Sequence, residues 1–157
     1  MSSEAFVMRE ATTRDIPRLL ELEQILIQAE RALNETMKPS DVKYYDFEAL
    51  IEDESACLLV VEDKGVIIGS GLAQIKTSKP ALSHDLHCYL DFMVVEDSYR
   101  GQGLNKKVIE HLMVWSQSKS VSDFYLSVYS DNAPAVRAYE KLGFRSNILE
   151  MKLNVKD

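Results

Sequence analysis

The segment Arg100-Gly101-Gln102-Gly103 has residue types and spacing that could bind a phosphate group. Glycines let the backbone approach an anion without side-chain bulk, and the unpaired N–H groups of a helix N-terminus attract its charge. Two glycines are also a common way to turn a chain, so this reading depends on the surrounding elements. An apolar run precedes the loop, and apolar residues at helical spacing follow it: Leu104, Val108, Leu112 and Trp115.

Three potential metal ligands, His84, His87 and Cys88, lie close together in the sequence. A zinc site usually needs four ligands, and the pattern supplies no further pair, so we expect no metal. Cys57 and Cys88 fall beside or within predicted strands, which favours buried thiols over nucleophiles. No Ser-His-Asp arrangement is evident, and two cysteines do not make a disulfide framework.

The apolar periodicity predicts the elements that must position the loop. Strands are expected at residues 6–11, 57–61, 66–75, 86–95, 124–129 and 144–155, the last of which could be two short strands. Helices are expected from about residue 16 to 32, around 47–51, from 104 to 119, and from about 133 to 142. The segment around Tyr44 and Tyr45 fits neither pattern clearly. Helix-start chemistry at Thr13, Asp15 and Pro17, and a hairpin turn at 63–65, support these boundaries.

This element order predicts an α/β layered fold with a mixed, mostly antiparallel central sheet flanked by helices. Gly69 and Gly71 inside the third strand suggest a bulge or a close backbone neighbour. No repeat, linker or low-complexity tract interrupts the 157 residues, so we expect one domain covering residues 1–157.

The net charge is −7, which argues against general nucleic-acid binding. No apolar run approaches the roughly 18 residues of a membrane span, and residues 1–5 carry no secretory pattern, so we expect a cytoplasmic protein. The charge is uneven, because residues 21–63 contain 12 acidic and 3 basic side chains. Such an acidic region is either a solvated helical surface or an attractor of a cationic substrate.

The glycine segment and a later block together resemble the GCN5-related N-acetyltransferase (GNAT) superfamily. The superfamily pattern Gln/Arg-x-x-Gly-x-Gly/Ala corresponds here to Arg100-Gly101-Gln102-Gly103-Leu104-Asn105. A late Asn, followed seven residues on by Tyr and then by Gly-Phe, corresponds to Asn132, Tyr139 and Gly143-Phe144. The last position of the first pattern departs from the superfamily, because Asn105 stands where Gly or Ala is usual. An Asn at a helix start tolerates unusual backbone angles and can cap the helix.

The resemblance implies the GNAT fold and acetyl-CoA as the acetyl donor. The pyrophosphate would lie against the N–H groups of residues 102–105, with Arg100, Lys106 and Lys107 adding positive charge. The pantetheine arm would pair with the backbone of Met93, Val94 and Val95, and Asn132 would hydrogen-bond it. The implied coenzyme site is therefore Met93, Val94, Val95, Arg100, Gly101, Gln102, Gly103, Leu104, Asn105, Lys106 and Asn132. The two lysines could equally form a solvated helix face, and Asn132 could simply cap a helix.

The resemblance also implies the catalytic groups. An amine with a pKa of about 10.4 must lose a proton before it attacks, and Asp91 is the candidate base. Tyr139 matches the acid that protonates the leaving thiolate, and a backbone N–H near Met93 could stabilise the oxyanion. Asp91 could instead only bind the substrate, or be a structural strand residue, and Tyr139 could be a packed aromatic.

The expected activity is direct acetyl transfer to a primary amine of a small cationic molecule or a peptide. Two alternatives stay open: a non-catalytic acyl-CoA-binding regulatory module, and a protein N-acetyltransferase with a long open groove. A homodimer is also open, since homodimers are common among similar proteins.

Overall fold

A computed structural model describes residues 6–156 of the chain. Residues 1–5, where the sequence predicts no secretory signal, and residue 157 lie outside the described part. The strands are β1 (Phe6–Glu10), β2 (Ala56–Asp63), β3 (Val66–Thr77), β4 (Leu86–Val95) and β5 (Phe124–Tyr125). The helices are α1 (Ile16–Arg31), α2 (Phe47–Glu52), α3 (Leu104–Ser118) and α4 (Ala133–Lys141). Short 3-10 helices cover Thr13–Asp15 and Asp97–Tyr99.

The chain divides into two compact units, Met1–Ser127 and Val128–Asp157. The first unit contains all five strands with α1, α2 and α3, and the second contains α4. In the first unit the strands form one sheet in the order β1-β2-β3-β4-β5. The first three pairings are antiparallel and the β4–β5 pairing is parallel. The predicted mixed, mostly antiparallel sheet is therefore confirmed.

The helices of the first unit cover both faces of this sheet. Leu19 and Leu22 of α1 and Phe47 of α2 pack in one buried cluster with Leu72 of β3. The residue before it in β3, Gly71, faces α3, because a Cβ atom there would lie 2.4 Å from Cγ1 of Val108. Neighbouring strand residues point to opposite faces, so α1 and α2 cover one face and α3 covers the other.

Local chemistry explains two of the boundaries. The Asp15 carboxylate accepts the backbone N–H of Thr12 at 2.8 Å and pairs with Arg9, which fixes the entry into α1. At the β2–β3 hairpin, Lys64 and Gly65 both have positive φ, +52° and +83°. Two consecutive residues in this region are typical of the tight hairpin turn that the sequence predicts.

Two strand predictions need correction. The fifth strand ends at Tyr125 and does not extend to residue 129. Residues 144–156 form no strand, so the predicted last strand is wrong. That prediction rested on alternating apolar residues, but Leu149, Met151, Leu153 and Val155 are all more than two-thirds exposed. Alternation predicts a strand only when a neighbouring strand supplies the hydrogen-bond ladder.

None of the helices within residues 6–156 is long and apolar enough to cross a membrane.

Candidate active site

The glycine loop leads directly into the first turn of α3. Gly101 and Gly103 have φ of +82° and +74°, and Gly103 is the residue that caps the helix. A Cβ atom added at either glycine would meet nothing within 4 Å. The glycines are therefore required by their backbone angles, and the space beside them is open.

The first turn of α3 has backbone N–H donors that the helix itself does not use. Lys107 donates its N–H back to the carbonyl of Gly103 at 3.2 Å, whereas the N–H groups before it have no partner within the helix. Among the described residues, no side chain caps the helix start. Such a helix N-terminus favours a bound anion through both its donors and its dipole.

The charged residues of the loop are exposed. The Arg100 guanidinium lies 3.1 Å from the carboxylate of Asp97, and both side chains are more than half exposed. Lys106 and Lys107 are exposed in the first turn of α3, while the side chain of Leu104 is buried. Asn105 lies inside the helix as its second residue and has no positive φ. The variant position therefore demands no unusual backbone angle.

A β-bulge interrupts β4 three residues after its pairing with β5 ends. The register of β3 and β4 shifts so that Phe92 and Met93 oppose the single residue Gly71. Phe92 has a φ of +54°, which is costly for a residue with a side chain. Two hydrogen bonds hold it: its N–H donates to Asp91 Oδ1 at 2.8 Å, and its carbonyl accepts from Ser70 Oγ at 3.0 Å.

The outer edge of β4 opens beyond this pairing. The parallel ladder joins Cys88 to Phe124 and Tyr89 to Tyr125, and it includes no later residue of β4. Glu96 donates its N–H to Ile68 of β3 at 2.9 Å. Backbone direction alternates along a strand, so Met93 and Val95 present their N–H and C=O groups to the edge away from β3.

The backbone of Val94, by contrast, faces β3, where it lies opposite Ser70. Of the three residues that the sequence predicts to pair with an extended ligand, the alternation therefore leaves Met93 and Val95 with outward-facing backbone groups. The side chain of Val94 is buried in the core on the α1 and α2 side.

Asp91 lies on the face covered by α1 and α2, immediately before the bulge. Its Oδ1 atom accepts the Phe92 N–H and also the hydroxyl of Tyr45, at 2.8 Å. The Tyr45 ring packs against Phe92 and Phe47, with centroids 4.9 and 5.7 Å away. Burial, and then the neighbouring Asp91 charge, raise the pKa of Tyr45, so its phenol stays protonated and donates to the carboxylate.

A buried glutamate fixes the segment that carries Tyr45. Glu23 of α1 is fully buried, and its Oε2 atom accepts the backbone N–H groups of Tyr44 and Tyr45 at 2.7 and 2.9 Å. The Tyr44 hydroxyl donates to Glu30 at 2.7 Å. Burial raises the pKa of the Glu30 carboxyl, the Tyr44 bond opposes this, and the charge of Asp91 adds to it. Three carboxylates therefore surround this tyrosine pair.

Sequence reasoning missed Tyr45, Glu23 and Ser70. The acidic excess of residues 21–63 pointed to the region but could not single out Glu23 or Glu30. A polar residue at a core-facing helical position, such as Glu23 between Leu22 and the apolar stripe of α1, was the available signal. Nothing in the sequence indicated that Ser70 would meet the carbonyl of Phe92.

Asn132 and Tyr139 lie in the second compact unit. Asn132 caps α4, since its side-chain oxygen accepts the N–H of Ala135 at 3.3 Å. The Tyr139 ring meets Phe144 edge-on, with centroids 6.0 Å apart. Gly143, at φ +104°, ends the helix as its position in the motif predicts.

His84 and His87 form a hydrogen-bonded group with Ser78 and Tyr125. Ser78 Oγ lies 2.8 Å from Nδ1 of His84 and 2.9 Å from Nδ1 of His87, and Nε2 of His84 lies 2.9 Å from the Tyr125 hydroxyl. In the described part of the chain, no three His, Cys, Asp or Glu side chains are grouped so that they could hold a metal ion. Cys57 and Cys88 are buried, as predicted, and burial raises the pKa of both thiols.

Comparison with known proteins yields a family match over most of the chain. The model of the acetyltransferase (GNAT) family matches residues 19–144. An N-acetyltransferase 9-like protein of Nematostella vectensis is 30% identical over 109 residues, which are 64% of this chain and 55% of that protein. A spermine/spermidine N(1)-acetyltransferase of Bacillus subtilis is 35% identical over 63 residues, 38% of this chain and 40% of its own length. The chain thus spans about half the length of these relatives, or less.

The fold is shared with a solved structure that contains the coenzyme. The crystal structure of a "predicted acetyltransferase with acetyl-CoA" from Clostridium acetobutylicum superposes with a TM-score of 0.74 and 18% identity. The match covers 95% of this chain and 96% of that one. At this identity, the likeness establishes the fold.

Proposed function

Because the chain belongs to the acetyltransferase (GNAT) family, we propose that it transfers the acetyl group of acetyl-CoA directly to a primary amine. One observation carries the proposal: the edge of β4 at Met93 and Val95, which no strand within residues 6–156 pairs with, leads through the glycine loop into the N-terminus of α3. The first feature suits an extended amide-bearing arm and the second suits a pyrophosphate, and coenzyme A contains both groups.

The coenzyme is bound mainly by backbone groups. The N–H groups of residues 102–105 hold the pyrophosphate, with Arg100 and Lys106 adding positive charge. The carbonyl of Met93 and the backbone of Val95 pair with the pantetheine amides as an added strand would, which leaves the N–H of Met93 for the acetyl group. The capping contact of Asn132 uses its side-chain oxygen, so its side-chain NH₂ group donates to the pantetheine.

Asp91 receives the proton of the acceptor amine. Both hydrogen bonds that Asp91 accepts within residues 6–156 end on Oδ1. Its second oxygen, Oδ2, is therefore the one that can face an ammonium group and take its proton, directly or through water. Tyr45 and the Phe92 N–H hold the carboxylate in orientation.

The bulge of β4 supplies the backbone N–H that stabilises the transfer step. The amine nitrogen forms a bond to the acetyl carbon, and the outward N–H of Met93 stabilises the negative oxygen of the tetrahedral intermediate. The carbon–sulfur bond breaks as the intermediate collapses, and the nitrogen gives its second proton to water, which leaves a neutral amide. Tyr139, the residue that matches the family acid, gives its phenolic proton to the departing thiolate.

We assign the acceptor to small cationic molecules or peptide amines. The supporting observation is the set of carboxylates around Tyr44 and Tyr45, namely Glu23, Glu30 and Asp91. The relative in Bacillus subtilis is named for acting on spermine and spermidine, which are cationic amines. A long open groove on this face would instead favour the protein N-acetyltransferase alternative.

An acceptor screen tests the proposal. Thiol release from acetyl-CoA is measured with a panel of polyamines, aminoglycosides, amino acids and peptides. Turnover with cationic amines is expected, and turnover restricted to neutral or anionic acceptors would refute the acceptor class.

The regulatory-module alternative makes a different prediction. It expects calorimetric binding of acetyl-CoA with no thiol release on any amine. That result would show that the protein binds acyl-CoA without catalysing transfer, and the proposed coenzyme site would stand.

A further inference from the structure

The β-bulge of β4 is held by a side chain that belongs to the neighbouring strand. Ser70 of β3 is completely buried, and its Oγ donates to the carbonyl of Phe92 at 3.0 Å. A bulge leaves backbone groups outside the ladder, and a buried carbonyl without a donor is costly. The serine hydroxyl therefore replaces the ladder hydrogen bond that the bulge removes.

This contact also determines where the next N–H points. The peptide bond between Phe92 and Met93 is trans, so its C=O and N–H point in opposite directions. Because the carbonyl is bound to Ser70, the N–H of Met93 points away from Ser70. The hydrogen bond from the Glu96 N–H to the Ile68 carbonyl shows that the backbone of Glu96 faces β3. Because backbone direction alternates along β4, the N–H of Met93 then points toward the open edge of the strand, the same direction that Ser70 imposes.

The surroundings leave the bulge little freedom to relax in another way. On the α3 side, Gly71 has no room for a Cβ atom, which would lie 2.4 Å from Val108 and 3.2 Å from Sδ of Met93. On the other side, Asp91 holds the N–H of Phe92. Ser70 thus supplies the third restraint, and it is the one that acts on the peptide group carrying the Met93 N–H.

We infer that Ser70 is a positioning residue, which aims the Met93 amide at the carbonyl oxygen of bound acetyl-CoA through its hydrogen bond to Phe92. The inference rests on the proposed role of the Met93 amide in acetyl transfer. Ser70 itself touches neither substrate. A preorganised donor is effective only while its direction is fixed, so loss of the Ser70 hydroxyl should weaken the transition state more than the bound coenzyme.

The test uses two variants, Ser70→Ala and Ser70→Cys. Alanine removes the donor, and cysteine keeps nearly the same shape with a much weaker donor. Removing an oxyanion donor outright costs about 10²–10³ in kcat, and we expect roughly tenfold or more for losing its alignment. The KM for acetyl-CoA should stay within about twofold of wild type, since the phosphate contacts are unchanged.

Ser116→Ala is the matched control. Ser116 is also completely buried, and its Oγ donates to the carbonyl of Val121 at 2.9 Å, within α3 and the turn that follows it. The control loses the same kind of hydrogen bond far from the bulge in sequence. It should lower the melting temperature as much as Ser70→Ala does, and it should leave kcat unchanged.

A spectroscopic readout separates positioning from stability. Infrared difference spectra with acetyl-CoA labelled by ¹³C at the acetyl carbonyl report how strongly that carbonyl is polarised when bound. We expect its stretching frequency to fall on binding to wild type and to Ser116→Ala, and to fall less on binding to Ser70→Ala and Ser70→Cys.

The outcomes are distinguishable. No frequency change in the wild-type protein would remove the Met93 amide from the mechanism, and the inference about Ser70 would fall with it. A wild-type frequency change that both Ser70 variants retain, together with wild-type kcat, would overturn the role of Ser70 alone. If Ser70→Ala does not fold, Ser70→Cys alone decides: a wild-type kcat together with a wild-type frequency change would overturn the role of Ser70.

Discussion

Asp91 connects the two halves of the proposed chemistry. Through Oδ1 it accepts from Tyr45 on the acceptor side and from the N–H of Phe92 in the bulge. One carboxylate can therefore orient the bulge and, through Oδ2, meet the incoming amine. A residue with two such tasks should be sensitive to even an isosteric change.

Asp91→Asn separates these tasks. An asparagine oxygen can still accept both hydrogen bonds, whereas its NH₂ group cannot take a proton. We expect kcat to fall by about 10²–10⁴, the range of a general base, with coenzyme affinity preserved. Steady-state kinetics and calorimetry measure the two effects. The exposed Asp123 provides the control as Asp123→Asn, and a fall of less than about threefold in Asp91→Asn would exclude proton transfer to Asp91.

Tyr139 is tested by the removal of one oxygen. Tyr139→Phe keeps the ring that packs edge-on against Phe144, so the second unit should remain folded. If its phenol protonates the leaving thiolate, kcat should fall by about tenfold to a hundredfold while acetyl-CoA binds as before. The comparison is between single-turnover rates and calorimetric affinity. Unchanged turnover would leave Tyr139 as a packing residue.

At the scale of elements, apolar periodicity predicted most of the sheet and its helices. The hairpin at Lys64 and Gly65 was also predictable, because only a few turn types join two such strands. The interior glycines of β3 were read correctly as a bulge or a close neighbour: Gly71 lies opposite the bulge and against α3. Each of these features has a local cause in the sequence.

The features that could not be predicted depend on contacts between elements. The early end of β5 depends on how β4 diverges after Tyr89. The positive φ of Phe92 opposes the local preference of a phenylalanine and persists because Ser70 and Asp91 hold both of its polar groups. Tyr45 lies in a segment without periodicity, and only its contact with Asp91 gives it a role. The parts of the proposed site that the sequence did not reveal thus depend on contacts between residues that are far apart in the sequence.

The glycine loop allows an element-scale test with a close control. Gly103→Ala places a side chain at a φ of +74°, which costs about 1–2 kcal/mol without a steric clash, since no atom lies within 4 Å of the added Cβ. We expect this strain to move the start of α3 and to weaken acetyl-CoA binding by about tenfold or more, because the donors of the first turn lose their alignment.

Gly65→Ala is the control for that change. Gly65 has a φ of +83° and the same empty surroundings, but it lies in the β2–β3 hairpin. Both variants should lose similar amounts of stability in thermal unfolding, and only Gly103→Ala should bind acetyl-CoA more weakly by calorimetry. Equal coenzyme affinity in the two variants would mean that the α3 N-terminus does not bind the pyrophosphate.

At the scale of the whole molecule, charge is distributed unevenly along the chain. Residues 21–63 hold 12 acidic and 3 basic side chains, whereas residues 64–157 hold 10 acidic and 12 basic ones. The acidic part includes Glu23 and Glu30 beside the tyrosine pair, and the later part includes the glycine loop. A cationic acceptor and an anionic coenzyme would therefore each be attracted to a different part of the sequence.

This charge pattern predicts how salt should affect acceptors of different charge. Alkyl amines with one, two and three ammonium groups offer the same reacting end, so their differences in kcat/KM at saturating acetyl-CoA report attraction of the remaining charge. Raising the ionic strength shortens the screening length from about 10 Å at 0.1 M to about 3 Å at 1 M. We expect kcat/KM to fall several-fold for the triamine and little for the monoamine.

Glu30→Gln should reduce the salt dependence, whereas Glu35→Gln, at an exposed position after α1, should preserve it. Equal salt dependence for all three amines would assign the acidic segment to a solvated surface with no part in acceptor choice.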